Sequence, residues 1–189
     1  TPQEIFFYRF LIAYLGIWVI SPKRLFTNNW QDELWLVAGG IFGGSLYFFT
    51  ENTALGITQA SNVSFIICTA PLLTTILSLL FYKSEKASKG LIYGSLLALM
   101  GVGLIVFNGS FVLKISPIGD LLTLLAALSW AFYSLIIKKM AGRYPTVFIT
   151  RKIFFYGVLT ILPAFLLHPL HPDTVVLLQP AVLFNLLFL

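Results

Sequence analysis

Glu51 is the only carboxylate between two long apolar runs, Leu34–Thr50 and Ser61–Tyr82. A carboxylate withdrawn from water holds its proton to higher pH, so a residue placed here can take up and release protons. Counting about 1.5 Å per residue from Leu34 puts Glu51 ~26 Å along its run, near one edge of a ~30 Å hydrocarbon layer. A solvated helix end is the competing reading. Three cations lie inside apolar runs: Arg9, Arg151 and Lys152. Such a charge at a bilayer centre costs at least about 2.5–3.5 kcal/mol. Each is close to the start of its run, so snorkelling to the headgroups is available. Snorkelling explains Lys152 well. It explains Arg9 and Arg151 less well, because the two recur 142 residues apart in similar surroundings. Arg151 would suit an anionic solute. Arg9 and Glu51 are expected at similar depth, where an ion pair makes both charges tolerable.

Neutral polar groups and aromatic rings also fall within the runs. Asn62 and Thr69 share a helical face, and Trp130 and Tyr133 adjoin Asp120, Thr123, Ala127 and Ser134. An amide, hydroxyls and ring faces in an apolar surrounding can line a solute site. They can equally pack helices together. Ser61, Ser64, Cys68, Pro71, Thr75 and Ser78 form a stripe expected to face protein or water rather than acyl chains. Pro71 deprives the carbonyl of Ile67 of its helical partner and so predicts a kink. Gly40 and Gly44, with Gly39 and Gly43 beside them and Tyr47 and Glu51 further along the same face, predict close backbone packing.

Metal chemistry finds little support. His168 and His171 have an HxxH spacing, but Pro169 and Pro172 break the helix that would align the rings, and Asp173 is the only nearby third ligand. A polar outer loop is the better reading. Cys68 is the one cysteine, so there is neither a disulfide framework nor a thiol metal site. No zinc-protease helix, nucleophile elbow or phosphate-cradling glycine loop occurs. No cofactor and no metal are expected.

The elements that must position these groups are membrane helices. The chain is 58% hydrophobic and 10% charged, with a mean hydropathy of +0.91. Soluble domains carry nearer ~25% charged residues. Apolar runs cover Ile5–Ile20, Leu34–Thr50, Ser61–Tyr82, Gly90–Phe107, Leu121–Ile137 and Val147–Leu167, with a partial one from Val175. About 20 residues suffice to cross the hydrocarbon layer. Gly90, Gly94, Gly101 and Gly103 mark the fourth run as scaffold. The net charge of +5 is spread over short linkers and forms no patch for nucleic acid.

Linker charge gives an orientation. Lys23 and Arg24, then Lys83, Lys86 and Lys89, then Lys138, Lys139 and Arg143 follow alternate runs, while the other links hold only Lys114. The positive-inside rule makes the first set cytoplasmic. The chain start is then outside, which predicts a missing earlier helix. A weak repeat agrees: Phe6, Arg9 and Tyr14 align with Phe148, Arg151 and Tyr156 at the offset of 142. One repeat would hold five helices, and an odd number inverts the second copy. The expected fold is thus all-α, a polytopic membrane protein with an inverted repeat of five helices. About ten helices would make the full protein, six of them complete here and one partial.

The pattern NTAL…ASNVSFI…APLLTTILS…KSEK, then the glycine-bearing LALMGVGLIVFNG, resembles the first half of an EamA-type transporter of the drug/metabolite transporter superfamily. The later GDLLTLLAALSWAFYSLIIKKM resembles the opening of that family's second half. The resemblance implies a first repeat over 1–109 lacking its first helix, an outer linker at 110–118, and a truncated second repeat over 119–189. It implies a secondary transporter in the bacterial inner membrane, whose partners are a small organic solute and the lipid bilayer, with protons as the coupling ion. Asn62, Thr69, Trp130, Tyr133 and Arg151 are the candidates for solute contact, and Glu51 for the proton. A polytopic membrane enzyme or a non-transporting scaffold is the alternative. Nothing in the pattern sets an oligomeric state.

Overall fold

The computed structural model describes residues 2–22, 26–27, 29–82, 89–107, 116–167 and 179–180. Lys23, Arg24, Lys83, Lys86, Asn108, Lys114, His168, His171, Asp173 and, except for 179–180, the partial run from Val175 lie outside them. The described residues form helices α1 (Pro2–Ile20), α2 (Trp30–Gly40), a π-helical turn (Ile41–Ser45), α3 (Leu46–Ile57), α4 (Ala60–Ile67), α5 (Ala70–Phe81), α6 (Lys89–Phe107), α7 (Pro117–Ala141), α8 (Thr146–Ile161) and α9 (Ala164–Leu167). Among them, Gln3–Ile20, Ala60–Phe81, Pro117–Ala141 and Thr146–Leu166 are long and apolar enough to cross a membrane. The protein is an all-α polytopic membrane protein.

Local chemistry explains the helix ends. Pro22 disfavours helical backbone at Ser21, and α1 stops at Ile20. The Asn29 side chain caps α2 by accepting from the Gln31 amide at 3.0 Å, and Asp32 and Glu33 sit in the first turn, where the helix dipole favours negative charge. Ahead of α7, the Ser116 amide donates to Asp120 Oδ2 at 3.1 Å, and Lys138 and Lys139 occupy the last turn. Pro163 separates α8 from α9. The break expected from Pro71 is present: α4 ends at Ile67, and Pro71 sits in the first turn of α5. Between the two helices, the Thr69 amide and hydroxyl both donate to the Ile66 carbonyl, at 2.9 and 2.6 Å.

One expectation changes. Glu51 does not close its helix, because nothing between Asn52 and Ile57 breaks one, and α3 runs six residues further. Of the polar stripe on α4 and α5, Ser61, Cys68, Thr75 and Ser78 are half-buried and Ser64 and Pro71 exposed, while Asn62, Val63 and Ala70 beside it are buried. Within the stripe, the Thr75 hydroxyl donates to the Pro71 carbonyl of its own helix at 2.9 Å.

The chain divides into two compact units, Thr1–Ser45 with Met140–Leu189, and Leu46–Lys139. In the first, α8 packs on α1, on α2 and on the π turn. Helices α1 and α8 run antiparallel: Phe7 meets Phe165, Phe10 meets Phe154, and Arg151 reaches the carbonyl of Ser21 just past the end of α1. Helices α2 and α8 cross with their backbones nearly touching. A Cβ added to Gly40 would lie 2.5 Å from Tyr156 Cβ and 3.0 Å from the Gly157 amide nitrogen, and one added to Gly44 would lie 3.3 Å from Gly157 Cα. The glycine face is therefore a packing face. We expect Gly40→Ala to destabilise the protein by about 1–3 kcal/mol, since backbone must move to admit the methyl. A melting temperature equal to the parent's, measured in detergent, would show that the crossing is looser. In the second unit α4 packs on α3 and α6, and α5 on α6; Gly103 of α6 lies under the Phe65 ring.

Candidate functional site

Polar and aromatic side chains gather at two places, one in each unit. In the second unit, α3 and α7 bring Tyr47, Glu51, Trp130 and Tyr133 together. One helical turn separates Tyr47 from Glu51, so the phenol can reach the carboxylate, and Tyr47 Oη donates to Glu51 Oε1 at 3.1 Å. The Tyr47 ring lies 5.1 Å from Trp130, and Trp130 lies 5.1 Å from Tyr133, both pairs tilted. Trp130 remains 40% exposed. The carboxylate thus has a neutral donor on one side and an accessible aromatic wall beyond it. Such a group can exchange protons and present ring faces to an organic solute. Tyr47 is the link that the sequence reading left among the glycines.

The other predicted contacts of this unit have different surroundings. Asn62 is 2% exposed in the first turn of α4. Thr69 is half-buried, with its hydroxyl committed to Ile66 at the α4–α5 break. Arg9 and Glu51 belong to different units.

In the first unit a polar network joins the N-terminal ends of α2 and α8. Asp32 accepts from Arg143 Nη1 at 2.6 Å and from the Tyr144 hydroxyl at 2.9 Å. Burial, with the hydrogen bond to Asp32 behind it, raises the Tyr144 pKa. One residue on, Glu33 accepts from Lys152 Nζ and from the Tyr156 hydroxyl. Its second oxygen accepts from the Thr27 amide at 2.9 Å and the Thr27 hydroxyl at 2.6 Å. The Phe26 ring lies 4.5 Å below the Lys152 ammonium. Glu33 stands just ahead of the apolar span. Burial alone would raise its pKa, but the donors from Lys152, Thr27 and Tyr156 outweigh it and hold the carboxyl at about 2.

Arg151 and Lys152 are 1% and 0% exposed. Snorkelling is therefore the wrong account of Lys152: its ammonium turns into the unit because Glu33 waits there. Arg151 donates instead to the Ser21 carbonyl. Asp32, Glu33 and Tyr144 were not anticipated as site residues. Two adjacent acids after Asn29 read simply as a favourable first helical turn, and their charged partners Arg143 and Lys152 lie more than 100 positions away. No group of three metal-ligating side chains occurs among the described residues.

Comparison with known proteins adds the biological context. The family model for "EamA-like transporter family" matches residues 1–107. An uncharacterized transporter of Archaeoglobus fulgidus is 29% identical over 166 residues, which is 86% of this chain and 56% of that protein. The uncharacterized transporter YdfC of Bacillus subtilis is 31% identical over 149 residues, 76% of this chain and 47% of its own length. The chain thus spans about half the length of these curated relatives. A crystal structure of another protein superposes with a TM-score of 0.67 over 91% of this chain and 58% of that one, at 18% identity, a likeness of fold.

Proposed function

Because the chain belongs to the EamA-like transporter family, we propose that the protein moves a small organic metabolite or drug-like solute across the bacterial inner membrane by alternating access, coupled to protons. The observation that carries this reading is Glu51 under the Tyr47 hydroxyl, beside the Trp130 and Tyr133 rings. Glu51 takes the proton, and the rings, with Asn62 and Thr69, contact the solute. Arg151 matters most if the solute is an anion. The test uses proteoliposomes holding the full-length protein and solutes first found by thermal shift, since a ligand of the native state raises stability by mass action. An imposed pH gradient should drive their uptake or exchange. Solutes that bind yet never cross would sink the transport reading.

The orientation follows from linker charge and is tested separately. Single cysteines at Lys86 and Asn108, in a Cys68→Ser background, should react from opposite sides of the membrane. In intact cells an impermeant reagent should label position 108 and spare position 86. Equal labelling of both would reverse or void the assignment.

An ion pair between Arg9 and Glu51 belongs to the same proposal, because each charge is more tolerable in the membrane with the other nearby. Arg9→Ala and Glu51→Ala should each reduce stability or transport, with the double variant less than additive by roughly 0.5–3 kcal/mol. Strictly additive losses would mean that the two side chains never meet.

A further inference from the structure

The contacts between α2 and α8 are of two kinds, and their order along the helices is mechanical. At Gly40, and at Gly44 in the π turn, the chain packs directly on the α8 backbone at Tyr156 and Gly157, with the Phe10 ring of α1 against Gly44 and Gly157. That crossing cannot loosen by a rotamer change. Seven residues earlier on α2, or about 10 Å, contact passes to Asp32 and Glu33, which reach Arg143, Tyr144, Lys152 and Tyr156 through long side chains. Thr27 and the Phe26 ring complete the closure around Glu33 and Lys152. The π turn Ile41–Ser45 begins immediately after Gly40. A wide turn of this sort is where helices bend.

We propose that the Asp32–Arg143–Tyr144 and Glu33–Lys152–Tyr156 contacts are a latch that keeps this end of the first unit closed, with the glycine crossing as its fulcrum. Ionic contacts suit such a role better than apolar ones. A buried pair gives up desolvated charges when it parts, and both charges regain water, so its net stabilisation is small although its geometry is demanding. Apolar side chains of the same volume would hold the end shut more firmly and open less readily. The two chain segments that the latch joins lie on opposite sides of the expected repeat boundary, so its opening parts a segment of one expected repeat from a segment of the other. By the linker charges this end faces the cytoplasm, and the latch holds the first unit shut on that side. Its role in transport rests on the function proposed above; its geometry does not.

Pulsed spin-label distances test it. Exposed Gln31 and Val147, at the latched ends of α2 and α8, would carry the labels as cysteines in an otherwise cysteine-free, full-length protein in liposomes. The parent should give a dominant short-distance population. Glu33→Gln, and separately Asp32→Asn, should raise the ratio of long to short distances on the order of tenfold. The exchanged pair Glu33→Lys with Lys152→Glu should restore the parent distribution, which a merely damaged helix end would not do. If Glu33 variants fail to fold, Asp32→Asn and Arg143→Gln at the more exposed pair carry the same comparison. Unchanged distances in the variants that fold would overturn the latch. Transport that persists without a distance change rejects the latch alone, whereas a distance change without any transport rejects the function and leaves the latch standing.

Discussion

Lys152→Ala is expected to lower the stability of the protein by about 3–5 kcal/mol, the usual result of removing one member of a buried charge pair. The residue is fully buried, and its ammonium meets the Glu33 carboxylate, the Tyr156 hydroxyl and the Phe26 ring. Without it, Glu33 keeps its charge beside an apolar span with only Thr27 and Tyr156 as donors. The loss should appear as a melting temperature lower on the order of 10 °C in detergent. Lys152→Met with Glu33→Gln should recover much of it, because no buried charge is then left alone. A parent-like melting temperature for Lys152→Ala would mean that the side chain does reach the headgroups.

The contrast between Lys152 and the helices shows which information the sequence holds. Helix positions were legible because hydropathy and length are local properties, and the break at Pro71 because proline acts on neighbouring backbone. The glycine crossing was legible as a face, though not as a partner: Gly40 and Gly44 announce close approach, while Gly157 on α8 supplies it. The direction of a charged side chain was not legible. A lysine near a helix start can turn toward headgroups or toward a carboxylate 119 positions away, and only the tertiary arrangement decides. The π turn was equally hidden, since the glycines of Ile41–Ser45 were read for close packing and not as a site where the helix widens. In the second unit the candidate site was partly legible: Glu51, Trp130 and Tyr133 were singled out by type and position, but the contact that joins them runs through Tyr47. A tyrosine one turn before an acid looks like any other interfacial aromatic until a tryptophan from α7 closes on it.

Glu51→Gln is expected to abolish the response of transport to an imposed pH gradient while leaving solute binding measurable. Alternating access coupled to protons needs a group whose protonation differs between two states. Among the described residues of the second unit, Glu51 and Asp120 are the acids, and Asp120 Oδ2 is occupied by the Ser116 amide at the start of α7. Glu51 lies within α3 and one turn from Tyr47, whose hydroxyl can donate to the charged form at 3.1 Å. Protonating Glu51 removes the charge that this donor stabilises, and so changes the contact of Tyr47 with Trp130 that would meet the solute. Glutamine keeps the volume and an acceptor oxygen but cannot titrate, so the wall remains and the coupling goes. Proteoliposomes should then show equal uptake with and without the gradient, and thermal shift should still register the solute. Tyr47→Phe separates the parts: it keeps the ring and removes the hydroxyl, so it should retain binding and move the pH at which transport is half-maximal. A Glu51→Gln protein with the parent's full pH response would place the proton elsewhere, and with it the coupling.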